Sequence, residues 1–223
     1  MMIFGLNWWK ILAICLVLFA LIAGMLIPVP RLPILHESIR NLFYHVPMWF
    51  AMLILYTVSV VSGIMYLGNS KPGLDILSSQ CAKVGLFLGV LGLATGSLWA
   101  RFTWGAWWVA DPKLNGTAVA MLTYLAYVVL RSSVEDGQKR ARLSAVYNIF
   151  AYVMMFVLIM ILPRLTDSLH PGNGGNPAFG KYDMDNTMRL IFYPAVVGWT
   201  LIGAWLVSLQ IRLDKIELNR KTQ

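Results

Sequence analysis

Hydrophobic residues along the chain fall into six long runs, separated by shorter polar or proline-containing segments. A run of about 20 apolar residues is the length that crosses the ~30 Å hydrocarbon core of a bilayer as a helix. The pattern predicts an all-α integral membrane protein in which residues 1–223 form one domain with six transmembrane helices. The predicted spans are roughly 8–27, 47–67, 82–100, 116–130, 144–162 and 190–211.

Composition supports a membrane protein. The 223 residues are 58% hydrophobic and 13% charged, and the mean hydropathy of +0.67 excludes an ordinary soluble domain. The first run is long, lacks a small-residue cleavage pattern and precedes Pro28-Val-Pro30, so we expect a retained span rather than a signal peptide. Cys15 lies in the first span and Cys81 at the inner start of the third, so no disulfide is expected on the outer side.

The distribution of basic residues predicts the orientation. With a cytoplasmic N-terminus, 11 of the 18 lysines and arginines fall on the cytoplasmic side and the other 7 outside, as the positive-inside rule requires. Both termini are therefore predicted to be cytoplasmic. The connectors 28–46, 99–115 and 163–189 then lie on the outer side. The net charge of +8 is interpreted as an anchor to the inner leaflet, not as a nucleic-acid surface.

The connector 99–115 is unusual because four of the nine tryptophans lie within residues 99–108. Trp104, Trp107, Trp108 and Asp111 are spaced i, i+3, i+4 and i+7, so a short helix would place them on one face. Such a face is a flat aromatic shelf with a carboxylate at its edge. The alternative is an interfacial aromatic belt. Belts spread their aromatic residues over several helix ends, whereas this cluster occupies one connector, and both interpretations remain open.

Several residues predict how the helices begin and pack. Asp111-Pro112 has the residue types of an N-cap and first helical position, for the fourth span. Pro47 suits the first position of the second span, which would leave His45 just outside the membrane. The segment 39–45 is compatible with a short amphipathic helix. Four glycines of the third span are expected to allow close helix packing: Gly85, Gly89, Gly92 and Gly96.

All three histidines, His36, His45 and His170, fall on the predicted outer side. His45 precedes the second span and His170 follows the fifth, so the two flank the tryptophan-rich connector. Two neutral imidazoles can ligate a haem iron from opposite faces, an aromatic surface suits a porphyrin, and Arg or Lys can pair with propionates. No cysteine or carboxylate is spaced with these histidines as a zinc site, and no HExxH is present.

Three stretches carry a resemblance to a known family. Residues 104–113, WGAWWVADPK, are similar to the tryptophan-rich "WWD" signature of the haem-handling proteins of cytochrome c maturation. Residues 40–47, RNLFYHVP, and Leu169-His170-Pro171 resemble the segments that supply haem-ligating histidines in the CcmC branch. The order His–WWD–His and the six spans make the likeness extend over essentially the whole chain.

The resemblance implies a function that composition does not show. CcmC-like proteins hold non-covalent haem b at the outer face of the bacterial cytoplasmic membrane and present it to the haem chaperone CcmE, beside the ABC-transporter subunits CcmA and CcmB and often CcmD. This is haem delivery rather than catalysis. By position, His45 and His170 would be the axial ligands of the iron. The remaining matched residues would form the haem platform (Trp104, Trp107, Trp108 and Asp111) and contact propionates or the chaperone (Arg40 and Lys113).

Departures from the CcmC pattern leave two other functions to consider. Ala110, Lys113 and Asn115 stand where the family commonly has Trp, Arg and Thr, and Asp-Pro-Lys is similar to the CcsA branch. The alternative is therefore a short CcsA-like subunit of a haem–apocytochrome c ligase, which would be an enzyme. A transporter or b-type electron-transfer subunit is disfavoured, because the predicted spans contain no histidine and few charged residues.

Overall fold

Six helical segments in the described part of the chain are long and apolar enough to cross a membrane, which confirms the all-α membrane class and the number of spans. The computed structural model describes residues 2–3, 6–170 and 183–221. A two-residue antiparallel pairing of Met2–Ile3 with Leu6–Asn7 precedes the first helix. The orientation of the termini stays a prediction. The helices are α1 Trp8–Leu26, a 3-10 helix His36–Asn41, α2 Leu42–Asn69, α3 Pro72–Trp104, α4 Pro112–Ser133, α5 Gly137–Phe156, a π-helical turn Val157–Ile161, α6 Leu162–Leu165 and α7 Asn186–Lys221.

Helix α2 lies at the centre of the bundle, where it packs against α3, α5 and α7, while α1 packs on α7 and α4 on α5. The rings of Tyr56 and Tyr124 stack in the core with centroids 3.6 Å apart. Gly85 of α3 makes room for this stack, since a Cβ there would lie 2.7 Å from Cε1 of Tyr56. The predicted close packing at this glycine is therefore present. Many large apolar side chains on the outer surface of the bundle remain exposed, as expected where lipid is the solvent.

The start of the second span differs from the prediction. Pro47 is the sixth residue of α2, not the first, and His45 lies inside the helix. The predicted amphipathic helix 39–45 is divided between the 3-10 helix and α2. The 3-10 helix feeds directly into α2, so the helix starts before the proline. Because Pro47 has no N–H, α2 lacks one backbone hydrogen bond close to its start. Few backbone hydrogen bonds are present there in any case, because the first four N–H groups of a helix have no partner within it.

A short helix across Trp104–Asp111, which would have placed the four side chains on one face, is not present. Helix α3 continues through Trp104 and ends at Gly105, whose positive φ of 78° is a left-handed conformation that glycine adopts without strain. Helix α4 starts at Pro112 with Asp111 as its N-cap. The seven residues between the two helices, 105–111, have no helical structure and are called the tryptophan loop below. The non-helical part of the connector is thus narrower than the predicted 99–115.

The candidate residues meet at one end of the bundle. That end contains the start of α2, the end of α3, the tryptophan loop, the start of α4 and the segment 166–170 after α6. Side-chain hydrogen bonds tie these elements together, from Asn41 to the Thr95 carbonyl and from Trp99 to Ser38. Residues 171–182 of the predicted connector 163–189 lie outside the described residues.

Candidate functional site

Asp111 is the centre of one half of the site. Its side chain is buried, with the residue 2% exposed, and it accepts five hydrogen bonds. Oδ1 accepts from the backbone N–H groups of Lys113 and Leu114, which caps α4 as predicted. Oδ2 accepts from the Ser168 hydroxyl and the Leu169 N–H at 2.9 and 2.8 Å. One carboxylate therefore fixes the start of α4 and the segment that carries His170.

His170 donates its Nδ1 proton to Oδ1 of Asp111 at 3.1 Å. A carboxylate can only accept, so the neutral ring carries its proton on Nδ1 and its lone pair on Nε2. Burial alone would raise the pKa of Asp111, but the hydrogen bonds from His170, Leu169 and Ser168 outweigh burial and hold that pKa below its ordinary value. An ionised carboxylate that orients an imidazole in this way is the usual support of a metal-ligating histidine.

His45 forms the other half of the site, between α2 and α3. Its Nε2 accepts a hydrogen bond from the indole N–H of Trp49 at 3.1 Å, and its Nδ1 lies 3.0 Å from the Thr95 hydroxyl. An indole can only donate, so Nε2 carries the lone pair and Nδ1–H donates to Thr95. The Thr95 hydroxyl can accept this proton because it donates its own to the carbonyl of Leu91. Both histidines thus have their Nε2 atoms in the form that binds a metal.

Two glycines of α3 create the space for the His45 half of the site. A Cβ on Gly96 would lie 2.7 Å from Cε1 of His45, and one on Gly92 would lie 2.6 Å from Cε2 of Trp49. Any other residue at either position would collide with an aromatic ring. These glycines were predicted as packing residues, and what they pack against is the candidate site itself.

The tryptophans that the sequence singled out occupy different positions. The Trp104 ring meets the His170 ring edge-on, with centroids 5.2 Å apart. Trp107 and Trp108 lie in the tryptophan loop and are 59% and 41% exposed. The Trp108 indole donates to Asn115 in the first turn of α4. The predicted single shelf is therefore not formed by one helical face, although all three rings lie at the site end of the bundle.

The two candidate cations differ in what they already bind. Arg40 donates to the carbonyls of Gly24 and Ile27 at the end of α1 and pairs with Glu37 at 2.7 Å. Its guanidinium therefore closes a helix end. Lys113 lies in the first turn of α4 and is half-buried. Among the described residues, no hydrogen bond or ion pair engages its ammonium group, which leaves that group available to an anion.

His36 stands apart from both halves of the site. It is exposed, begins the 3-10 helix and has a positive φ of 43°. Residues that the sequence reasoning did not select include Trp49, Thr95, Trp99 and Ser168. A signal existed for two of them, because Trp49 follows His45 by one helical turn and Trp99 is one of the four clustered tryptophans.

A planar haem suits this arrangement on three counts. Each half supplies an imidazole with its lone pair on Nε2, exposed indole rings offer apolar surface, and the ammonium group of Lys113 can meet a carboxylate. The structure brings His170, Asp111 and Trp104 into contact and places His45 at the same end of the bundle. It does not bring Arg40 into this cluster.

Comparisons with known proteins identify a family. A family model described as CcmC, heme exporter protein C, matches residues 3–223. Heme exporter protein C of Bradyrhizobium diazoefficiens is 30% identical over 125 residues, which are 54% of this chain and 46% of that protein. The Escherichia coli protein of the same name is 23% identical over 176 residues, 79% of this chain and 70% of that protein.

A cytochrome c biogenesis protein, CcsA of Prochlorococcus marinus, is 36% identical over 89 residues, 40% of this chain and 28% of that protein. The aligned part of this chain thus spans less than half the length of the Bradyrhizobium and Prochlorococcus relatives. The match over residues 3–223 nevertheless covers nearly the whole chain. The chain therefore belongs to the CcmC family of heme exporter proteins, and its described residues include six helices long and apolar enough to cross a membrane.

Proposed function

We propose that this protein binds haem b non-covalently at the outer face of the membrane and passes it to a CcmE-like haem chaperone. The single observation that carries the proposal is that the two histidines have the same tautomer, with the proton on Nδ1. An acceptor holds Nδ1–H of each ring, Thr95 for His45 and Asp111 for His170, so each Nε2 has a lone pair for iron. Iron ligated by two neutral imidazoles is six-coordinate.

The rest of the site would hold the porphyrin. Trp107 and Trp108 present large apolar rings to the surroundings, and Trp104 lies against His170. Lys113 is the better candidate for a propionate contact, because Arg40 is already engaged at the end of α1. We place Arg40 at the rim of the site, where it would support the histidine-bearing start of α2 or contact the chaperone.

The partners of such a protein follow from the family. Haem delivery would take place beside CcmA and CcmB, the ABC-transporter subunits, with CcmD as a further small subunit. The proposed role is delivery without chemistry on haem. By the positive-inside rule, the basic loop 131–143 and the C-terminal segment after 211 would face the cytoplasm, and the site would then lie on the periplasmic side.

A second candidate function is a subunit of a CcsA-like haem–apocytochrome c ligase. The 36% identity to CcsA over 89 residues favours it, as does the Asp111-Pro112-Lys113 sequence. The two functions differ in their partners. Co-purification of a CcmE-like chaperone supports delivery, whereas co-purification of an apocytochrome with a large periplasmic partner supports ligation.

The axial ligands can be tested by absorption spectroscopy of the protein purified in mild detergent. The wild type should give the spectrum of a six-coordinate bis-histidine haem. His45→Ala and His170→Ala should each open one axial position, weaken haem binding and change the spectrum, and added imidazole should partly restore both. His36→Ala is the matched control and should behave as wild type. A wild-type spectrum in either ligand variant without imidazole would show that another group holds the iron.

The tryptophan rings can be tested separately. If haem covered roughly half of each ring, about 200 Å² in total, their removal would cost at most about 5 kcal/mol of binding free energy. The double variant Trp107→Ala and Trp108→Ala should retain much less haem while inserting normally, because insertion depends on the apolar helices. Trp8→Ala, at a residue 57% exposed in α1, is the control. Unchanged haem content in the double variant would support the alternative interpretation, in which the tryptophan cluster is an interfacial aromatic belt.

A further inference from the structure

The indole N–H of Trp49 is hydrogen-bonded to Nε2 of His45, the atom that would bind iron. The indole lies one helical turn after His45 on α2, and its N–H donates to Nε2 at 3.1 Å. The two rings meet edge-on, with centroids 6.0 Å apart and planes at 76°. An imidazole nitrogen has one in-plane lone pair, so Nε2 cannot accept the indole proton and coordinate iron at the same time.

The position of Trp49 is built by the neighbouring helix. The six-membered part of the indole lies directly on Gly92 of α3, and the His45 ring lies on Gly96 one turn further along. Neither ring could lie there if Gly92 or Gly96 carried a Cβ atom. Trp49 is half-buried and packs at the edge of the central core. The hydrogen bond therefore belongs to a defined ring arrangement, which the backbone of α3 sets.

The other histidine is held differently. The Asp111 carboxylate holds His170 through Nδ1, and no described residue forms a hydrogen bond to its Nε2. The two ligands are thus unequal: haem can meet the lone pair of His170 directly, whereas it must displace an indole to reach that of His45.

We propose that Trp49 competes with the haem iron for Nε2 of His45 and so makes His45 the exchangeable axial ligand. This inference rests on the proposed role of His45 in the function above. When iron binds, the indole gives up its hydrogen bond. When the haem leaves, the indole takes the nitrogen back, which offsets part of the free energy lost with the iron bond. Trp49 is a positioning residue, because it acts through His45 and its contact is with the ligand, not with haem.

Trp49→Phe tests the competition, since phenylalanine retains an aromatic ring on Gly92 but has no N–H. Haem should bind more tightly and leave more slowly for a haem-free globin acceptor, each by roughly 2- to 10-fold, the range of one net hydrogen bond. The spectrum should stay six-coordinate. Trp205→Phe is the matched control: Trp205 contacts Lys10 of α1, with the ammonium 5.2 Å from its ring centroid, and the variant should leave haem release unchanged.

A double-variant cycle with His45→Ala separates this inference from the proposed function. In the His45→Ala background, Trp49→Phe should have no effect on haem release, because the contested nitrogen is gone. An unchanged or weaker haem affinity in Trp49→Phe, or an effect that persists without His45, overturns the competition. A wild-type spectrum in His45→Ala alone overturns the axial ligand instead. Trp49→Leu, which also lacks a donor, should change haem release in the same direction, and the opposite direction would overturn the competition even if Trp49→Phe folded poorly.

Discussion

Replacing Asp111 with Asn is a small change in shape that tests whether the carboxylate supports His170 in the candidate site. With the amide oxygen at the position of Oδ1, the contacts to the N–H groups of Lys113 and Leu114 and to Nδ1 of His170 remain possible. The amide NH2 then replaces Oδ2 and faces the Leu169 N–H, which lies 2.8 Å from that oxygen. Two donors cannot bond, whereas the Ser168 hydroxyl can turn and accept.

The magnitude follows from these contacts. The hydrogen bond from the Leu169 N–H to a charged group is lost, and such a bond is worth about 1.5–3 kcal/mol. The segment that carries His170 should therefore be held less firmly by about this amount. The neutral amide also makes His170 a weaker base, and loss of such a supporting partner costs metal sites 10- to 100-fold in affinity. We expect haem affinity to fall by roughly this factor while α4 keeps its cap, since Asn caps as well as Asp.

Asp136→Asn is the matched control. Asp136 caps α5 by accepting from the backbone N–H of Lys139, is exposed and is bonded to no histidine. Haem would be titrated into each detergent-purified variant and followed by absorption, after size-exclusion chromatography has shown equal folded protein. A haem affinity of Asp111→Asn within twofold of wild type would refute the supporting role of the carboxylate. An equal loss in Asp136→Asn would show that removing the charge of any capping carboxylate lowers haem affinity, and that the histidine contact is not the cause.

Three further predictions concern packing, orientation and pH. Gly96→Ala should weaken haem binding by roughly 5- to 100-fold in a titration, because overpacking of about 1–3 kcal/mol displaces the ring of His45, whereas Gly68→Ala, which meets nothing within 4 Å, should bind haem normally. A periplasmic reporter fused at Gly137 should be inactive and one fused in the tryptophan loop active; the reverse result would invert the orientation and place the site in the cytoplasm. Because the pKa of Asp111 lies below its ordinary value of 3.8, its contribution to stability is fully present above that value and is lost as the pH falls through the lower folded pKa. Asp111 should therefore stay ionised between about pH 5 and pH 8, and Asp111→Asn should remove no infrared carboxylic-acid band in that range.

The amino-acid sequence by itself determined the architecture. Runs of about 20 apolar residues have one stable arrangement in a bilayer, a helix that satisfies its own backbone, so six runs predict six spans. Local chemistry was equally direct at Asp111-Pro112, where a side-chain acceptor and a residue without an N–H define the start of α4. Local signals failed where elements join. The i, i+3, i+4 spacing of the tryptophans predicted a helix, but the conformation of Gly105 ends α3 first.

Only the tertiary structure decided what the candidate residues contact. The cap residue Asp111 also holds His170 from 59 positions away, and the Gly96 backbone receives the ring of His45. No periodicity encodes such pairs, because they depend on which faces of two helices meet and at what height along their axes. The bond from Trp49 to His45 is local in sequence, yet it too depends on α3: the bare backbone of Gly92 sets where the indole lies, and so which imidazole nitrogen it reaches.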